Sequence, residues 1–584
     1  MKNIFIIVLL LSVISYSQTS RFVSKDGSSQ FPYSTWETAC DSIRPVVEIA
    51  DSGDTIYIGA GVFIDTLDIT KELVILGQGK DETTINCDRL RNEMIIVHGA
   101  KLTMKGITLL GSETTFLLDG SSMISTYGLS NIYVEDCVFS NTYIGIINLK
   151  GNAKIKNCIF KTSHRMGVLA SISNDISYSR NIIDGCVFMI EKGRGHVMRF
   201  EGRYLEFKNN ICLNSLASGI YNITCDTVIV ENNIMSTEES ALKLGHCRGK
   251  VRVVNNIFHN GLANQYSPAI FISKSPKVEI HNNIVYRYPQ AVELRNAVEW
   301  YNIDYNCLYE NTHGFDDTVS VGENNIELDP MWIKSPLGPE QPDEFDLRLQ
   351  KYSPCIDTGN PDILDVDGTR SDIGLFGGPF GMVYNYEDLP TEMPKNIILT
   401  TINDSTFQID WDANTESDFA GYKIYMGENS TFEPSVNNLI SVTDTNTYIL
   451  QENYTENKYI KITSYDNQGN ESESGEVLSI IVTGEEIRGE KEYEYKLFQN
   501  YPNPFNPQTN IRFALKSEGI VKIKVFDLKG EMIFKEKGKH YPAGGHEIEL
   551  NLSNYASGIY IVTLQVEQNG KPIFVDNKKI TLLK

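Results

Sequence analysis

Beyond its first seventeen residues the chain has no apolar run approaching the ~20 residues that a membrane-crossing helix needs, so no transmembrane segment is expected. Positive charge is scarce. With 52 Lys and Arg against 75 Asp and Glu, the formal net charge is -23, which argues against a nucleic-acid partner, because phosphate binding draws on clustered cations. The nine histidines include His164, His196, His246 and His281, and these four show no metal-ligand spacing. Helical periodicity is confined to one short stretch. At 584 residues the chain exceeds a single ordinary core, so several units or an elongated repeat array are expected. Met1–Ser17 carries Lys2, an apolar run from Ile4 to Ile14, and small residues at Ser15 and Ser17. That pattern predicts a cleavable signal peptide and an exported protein.

What the chain does have is one phrase repeated. Phe207-Lys-Asn209-Asn210-Ile211, Val230-Glu-Asn232-Asn233-Ile234, Val253-Val-Asn255-Asn256-Ile257 and Ile280-His-Asn282-Asn283-Ile284 recur every 23, 23 and 27 residues. A period in the twenties, with short β-rich runs, is the mark of a solenoid whose coils stack over a shared core. A second strand series runs beside it, through Val197–Phe200, Ile220–Ile223, Ala241–Leu244, Ala269–Ile272 and Ala291–Leu294. Asn suits the corners, since its amide can bond to the next coil and its backbone tolerates the left-handed conformation. Ahead of the coils, Ser34 and Glu37 have capping-box spacing and Ala39, Ile43, Val46, Val47 and Ala50 mark a helix ending near Gly53. Such a helix would cover the open end of the solenoid. Cys137, Cys158 and Cys186 hold the place that Asn210 and Asn233 take in later coils. They read as a buried column of small side chains, although a strand spacing of ~4.8 Å also admits a bridge.

These coils, with the opening Ser52-Gly53-Asp54-Thr-Ile-Tyr-Ile-Gly59-Ala-Gly61 and the closing Ser353-Pro-Cys355-Ile-Asp357 and Asp365-Val-Asp367-Gly368-Thr-Arg370-Ser-Asp372, resemble the right-handed parallel β-helix proteins of the pectin-lyase-like superfamily over roughly residues 22 to 380. The resemblance implies an all-β chain whose β-helix, with its N-terminal capping helix, fills residues 19–385. It implies no single activity, because that superfamily holds lyases, hydrolases, epimerases and members without a known reaction.

Two small β-sandwich domains are expected to follow. Residues 390–484 show longer alternating strands, at Gln408–Trp411, Gly421–Tyr425 and Tyr459–Tyr465. This module is similar to a fibronectin type III domain, with Trp411 and Tyr459 at core positions. Residues 495–584 begin with a Pro-rich entry through Asn500, Pro502, Pro504, Phe505 and Pro507, and continue with Val525-Phe-Asp527-Leu-Lys-Gly530 and Ala556-Ser-Gly558-Ile-Tyr560. They closely resemble the C-terminal sorting domain of type IX secretion cargo. That resemblance implies transit through the periplasm of a Gram-negative bacterium, a partner in the secretion machinery, and release or attachment at the outer surface.

In a solenoid the inward side chains form the core, so a site must use outward positions aligned across coils. Aligning the second strand series places Asn148, Arg199, Asn222, Lys243, Phe271 and Glu293 in one column, with Glu201 and Arg295 two residues on. Arg199 and Lys243 are the residue types that abstract a proton beside a uronate carboxylate in the lyases of the superfamily, where calcium or a second cation neutralises the carboxylate. Asn148, Glu201, Asn222, Glu293 and Arg295 would then bind substrate. No catalytic motif of the superfamily matches residue by residue. Asp365, Asp367 and Asp372 around Gly368 have the alternating spacing of a calcium loop without its distal Glu. The expected partner is a polysaccharide, bound through the long side of the β-helix or acted on by a lyase-like enzyme.

Overall fold

The computed structural model describes residues 19–582 apart from 87–92, 112–120, 149–150, 171–178, 191–194, 216–217, 238, 261–266, 296–297, 316–318, 336–344, 404, 484–485, 492–494, 499, 501–504, 506, 528, 537, 543, 554, 557 and 569–570. The expected signal peptide therefore lies outside the described residues. Two compact units result, Met1–Leu389 and Pro390–Lys584.

The first unit is a right-handed parallel β-helix of three sheets, each gaining one strand per turn of chain. Sheet A holds the strands before each Asn pair, among them Lys250–Val254, Lys277–His281 and Trp300–Asp304. Sheet B holds the strands after it, such as Ile234–Thr237, Ile257–His259 and Ile284–Tyr286. Sheet C completes the turn with Leu242–Cys247, Ile270–Ser273 and Gln290–Arg295. Every pairing among these is parallel and joins a strand to its counterpart one turn later, as Val253 to Ile280 and Ile280 to Ile303. Backbone donors and acceptors are thus satisfied by neighbouring coils, which leaves strand edges at the two ends alone. Alternate residues point inward to one continuous core, in which Phe139, Phe160 and Phe188 stack at 4.6 and 4.8 Å.

At the first end the helix is shorter than its periodicity predicts, spanning Ile43–Ile49. The capping box does not form. Asp65, from the turn after the Gly61–Ile64 strand, takes over the capping role and accepts the Ile43 N–H at 2.8 Å and the Ser42 hydroxyl at 3.1 Å. A tertiary carboxylate has displaced the local Ser34–Glu37 pair.

The two members of each Asn pair do different jobs. Asn209, Asn232, Asn255 and Asn282 adopt positive φ of 51 to 56°, turning the corner from sheet A to sheet B. Their neighbours form a buried ladder in which each amide donates to the next side-chain carbonyl: Asn210 to Asn233 at 3.0 Å, Asn233 to Asn256 at 2.8 Å, Asn256 to Asn283 at 2.9 Å, Asn283 to Asn306 at 3.0 Å. Cys186 begins the ladder through its backbone N–H, 2.9 Å from Asn210 Oδ1. Cys137, Cys158 and Cys186 are the expected buried column, all free thiols. Cys225 and Cys247, paired in register on sheet C, form a disulfide.

The first αL asparagines hold a strap. Trp332, Leu347, Leu349, Cys355 and Ile373 bury the outward side chains of Ile234, Ile257 and Ile284 on sheet B, each worth about 1.5–3 kcal/mol. Asn232 donates to the carbonyls of Leu375 and Gly377 at 2.7 Å, Asn255 to those of Asp372 and Gly374, and Asn282 to Ser371 Oγ.

In the second unit, sheets of three and five antiparallel strands enclose a core of Phe407, Ile409, Trp411, Tyr422, Ile424, Leu450, Tyr454, Ile460 and Ile462. Trp411 is buried as expected. Tyr459 is half-buried outside this core because its strand, Lys458–Asp466, turns Ile460 and Ile462 inward instead. A further three-stranded and five-stranded pair surrounds Phe505, Phe513, Val525, Tyr560 and Leu582. No helix among the described residues is long and apolar enough to cross a membrane.

Candidate functional site on sheet C

The three faces of the β-helix differ in what they leave available. Over its later coils sheet B lies under the strap. Sheet A neutralises itself with pairs between neighbouring coils: Lys105 with Glu135 at 2.5 Å, Arg252 with Glu231 at 2.6 Å, Lys250 with Glu279 at 2.6 Å. Sheet C carries a mixed row of cations and aromatic rings.

The register defines that row. Arg199 pairs with Leu169 on one side and Tyr221 on the other, Tyr221 with Lys243, Lys243 with Phe271, and Phe271 with Glu293. Successive members are one strand spacing apart, ~4.8 Å, so Arg199 and Lys243 stand roughly 10 Å apart across Tyr221. Lys243 is exposed and lies over the Tyr221 ring at 5.8 Å, with no carboxylate in ion-pair range among the described residues. The His196 ring stacks on Tyr221 at 5.0 Å. Burial pushes its imidazole below the usual value, so it is neutral at pH 7. Arg199 reaches Glu201 at 3.2 Å through Nη2, while its buried Nε has no partner among the described residues.

Arg199, Lys243 and Glu293 occupy the column expected of them, and Glu201 lies beside Arg199. Glu293 is nearly buried and ion-paired with Arg295, whose guanidinium covers Phe271 at 5.8 Å. Asn148 does not belong there. It pairs with Thr126 and Ala170 in the inward row and is fully buried, accepting from Thr126 at 2.7 Å and donating to Asn181 at 3.1 Å. Asn222 likewise pairs with Phe200 and Leu244, in the inward register, and Tyr221 takes the outward place. A slip of one residue exchanges the two faces of a strand.

A signal in the sequence marks the true register. A small or apolar residue and then an aliphatic one precede each outward position: Val197-Met198 before Arg199, Gly219-Ile220 before Tyr221, Ala241-Leu242 before Lys243, Ala269-Ile270 before Phe271 and Ala291-Val292 before Glu293. Aligning on that pair finds Tyr221.

The acids of the expected calcium loop are engaged elsewhere. Asp365 accepts the N–H groups of Asp372 and Gly378; Asp372 accepts from the Asp357 N–H at 2.9 Å and the Tyr386 hydroxyl at 3.0 Å; Asp367 closes a turn on Thr369. Their oxygens serve loop amides rather than converging on one point, and no cluster of three or more metal-ligating side chains occurs among the described residues. This donor set does not fit calcium.

Residues 122–285 match the family model described as a right handed beta helix region, and residues 499–575 the one described as a secretion system C-terminal sorting domain. The chain thus joins a right-handed β-helix to a secretion sorting domain. No curated protein matches it. Among solved structures it is similar to a pectate lyase, at 11% identity over 62% of this chain and 97% of that one with a TM-score of 0.33. It is also similar to an alginate lyase of the PL6 family, at 12% over 50% of this chain and with a TM-score of 0.30. The chain spans 40% of that alginate lyase's length. A pectin methylesterase from Aspergillus niger is similar at 11%, over 54% of this chain and 93% of that one, with a TM-score of 0.27.

Proposed function

We propose that this is an exported protein that holds an acidic polysaccharide along the outward face of sheet C, without catalysis. The supporting observation is the uninterrupted row of Arg199, Tyr221, Lys243 and Phe271, in which rings and cations alternate at one strand spacing. Aromatic faces receive the apolar side of sugar rings, and cations at every second position receive carboxylates. The carboxylates nearest the row, Glu201 and Glu293, are occupied by Arg199 and Arg295. On this reading the signal peptide takes the chain across the inner membrane, and residues 495–584 address it to type IX machinery for release or attachment at the outer surface. Residues 390–484 form a fibronectin type III-like spacer.

A polysaccharide lyase is the second reading, favoured by Tyr221 lying between two cations. There Lys243 or Arg199 would take the proton beside a uronate carboxylate while the other neutralises that carboxylate.

Changing Arg199 and Lys243 together to Ala removes the attraction and leaves the inward core untouched. Glycan-array binding should fall, and the wild-type advantage should be larger at low salt, because exposed charges are screened over ~8 Å at physiological ionic strength. Ultraviolet absorbance of unsaturated products from pectate, alginate and glycosaminoglycans tests the lyase. Turnover lost in the double variant, with binding only partly weakened, would favour catalysis over plain binding. A variant unchanged in both would remove the site from this face.

A further inference from the structure

The opposite chemistry appears where the β-helix begins. A cleft of about 430 Å³ is lined by Ser24, Asp26, Trp36, Tyr57, Leu76 and Gln78, over a floor of Ile58 and Gly59, within the ~300–1,000 Å³ typical of small-ligand sites. Its aromatic wall is built of packed rings. The Trp36 ring meets Phe22 edge-on at 4.8 Å, and Phe22 stacks on Tyr57 at 5.4 Å. Trp36 is nevertheless 46% exposed, and a Cβ on Gly59 would stand 3.4 Å from its ring, in ordinary van der Waals contact.

Two polar side chains of the lining keep groups without a partner among the described residues. Gln78 has its Oε1 fixed by the Ala60 N–H at 3.0 Å, which orients its amide NH₂; that group has no acceptor among the described residues. The Asp26 carboxylate has neither an ion-pair nor a hydrogen-bond partner among them. The nearby cation, Lys25, is turned away, donating to the Asp41 carbonyl and lying over Phe63.

We propose that this cleft binds a neutral sugar ring. Trp36 covers the apolar face, the Asp26 carboxylate accepts from hydroxyls, and the Gln78 amide donates to one. The uncompensated carboxylate disfavours uronates and sulfated sugars, which separates this site from the cationic row on sheet C.

The test titrates the full exported chain with neutral gluco-, manno-, xylo- and galacto-oligosaccharides, following tryptophan fluorescence and heat. Saturable binding of at least one series is expected. Trp36→Ala should weaken it about tenfold, the upper end of what one aromatic contact is worth, because the cleft loses its wall. Trp36→Phe should retain part of it, and Gln78→Leu should weaken it with melting unchanged. The Arg199 and Lys243 double variant should bind these sugars as the wild type does. No binding across the panel, binding undiminished in Trp36→Ala, preference for uronates, or capture of aromatic peptides in place of sugars would each overturn the proposal.

Discussion

Asn233 shows how much one side chain in this fold carries. Its amide donates to the carbonyls of Phe207 and Glu231 and to Asn256 Oδ1, while its own oxygen accepts both the backbone and the side-chain N–H of Asn210. All of this is buried. Asn233→Leu leaves several of those partners unsatisfied, each at about 1–3 kcal/mol, so a destabilisation of about 3 kcal/mol or more is expected. Thermal melting of the chain checks it, and a variant melting with the wild type would place the ladder outside the core. The sequence showed the Asn repeat and its corner, but not that the first Asn of each pair turns the chain while the second builds the ladder. Both members have the same amide. The left-handed backbone of one turns its side chain outward and leaves its neighbour facing the core.

At the scale of elements, the strap and its acids make the folded state sensitive to pH. Asp372 is buried beneath Tyr386 and beside Asp365, and burial pushes its carboxyl up to about 6 from an ordinary 3.8. The folded chain then holds a proton that the unfolded chain has lost. The stability contributed by this group is therefore fully present below about pH 4 and is lost as the pH rises through about 6. Asp365, raised by burial as well, acts in the same direction. Because Asn mimics the protonated carboxyl, the melting temperature of the wild type should fall relative to that of Asp372→Asn as the pH rises from about 4 to 7; a difference constant over that range would refute the assignment. In sequence these acids looked like a calcium loop because spacing shows which carboxylates can converge and not which backbone amides reach them first. The helix that covers the first coil was legible for a similar reason only in part. Its apolar stripe through Ile43, Val46 and Val47 is local, whereas its cap, Asp65, comes from the next turn of chain.

For the whole molecule the expectation concerns export. If residues 495–584 are the address for type IX secretion, deleting them should leave the protein in the periplasm with its β-helix folded. Cell fractionation measures this directly, and normal levels of the truncated chain outside the cell would contradict the assignment.

The linear sequence by itself determined the architecture and the destination. A phrase that returns every 23 to 27 residues cannot bury its apolar face except by stacking on its own copies, and the sorting domain is written in contiguous residues. Tertiary structure decided which side chains share the outward row of sheet C, a register marked in the sequence only by the residue pair that precedes each outward position. A strand alternates its faces with a period of two, so a register one residue away from the aligned one takes Asn148 and Asn222 out of the row and puts Tyr221 into it. The docking of the strap was equally out of sight, since the carbonyls that Asn232 holds lie 143 and 145 residues further along the chain. Such contacts depend on how many coils intervene and where each corner turns, which is a property of the stacked chain and of no segment within it.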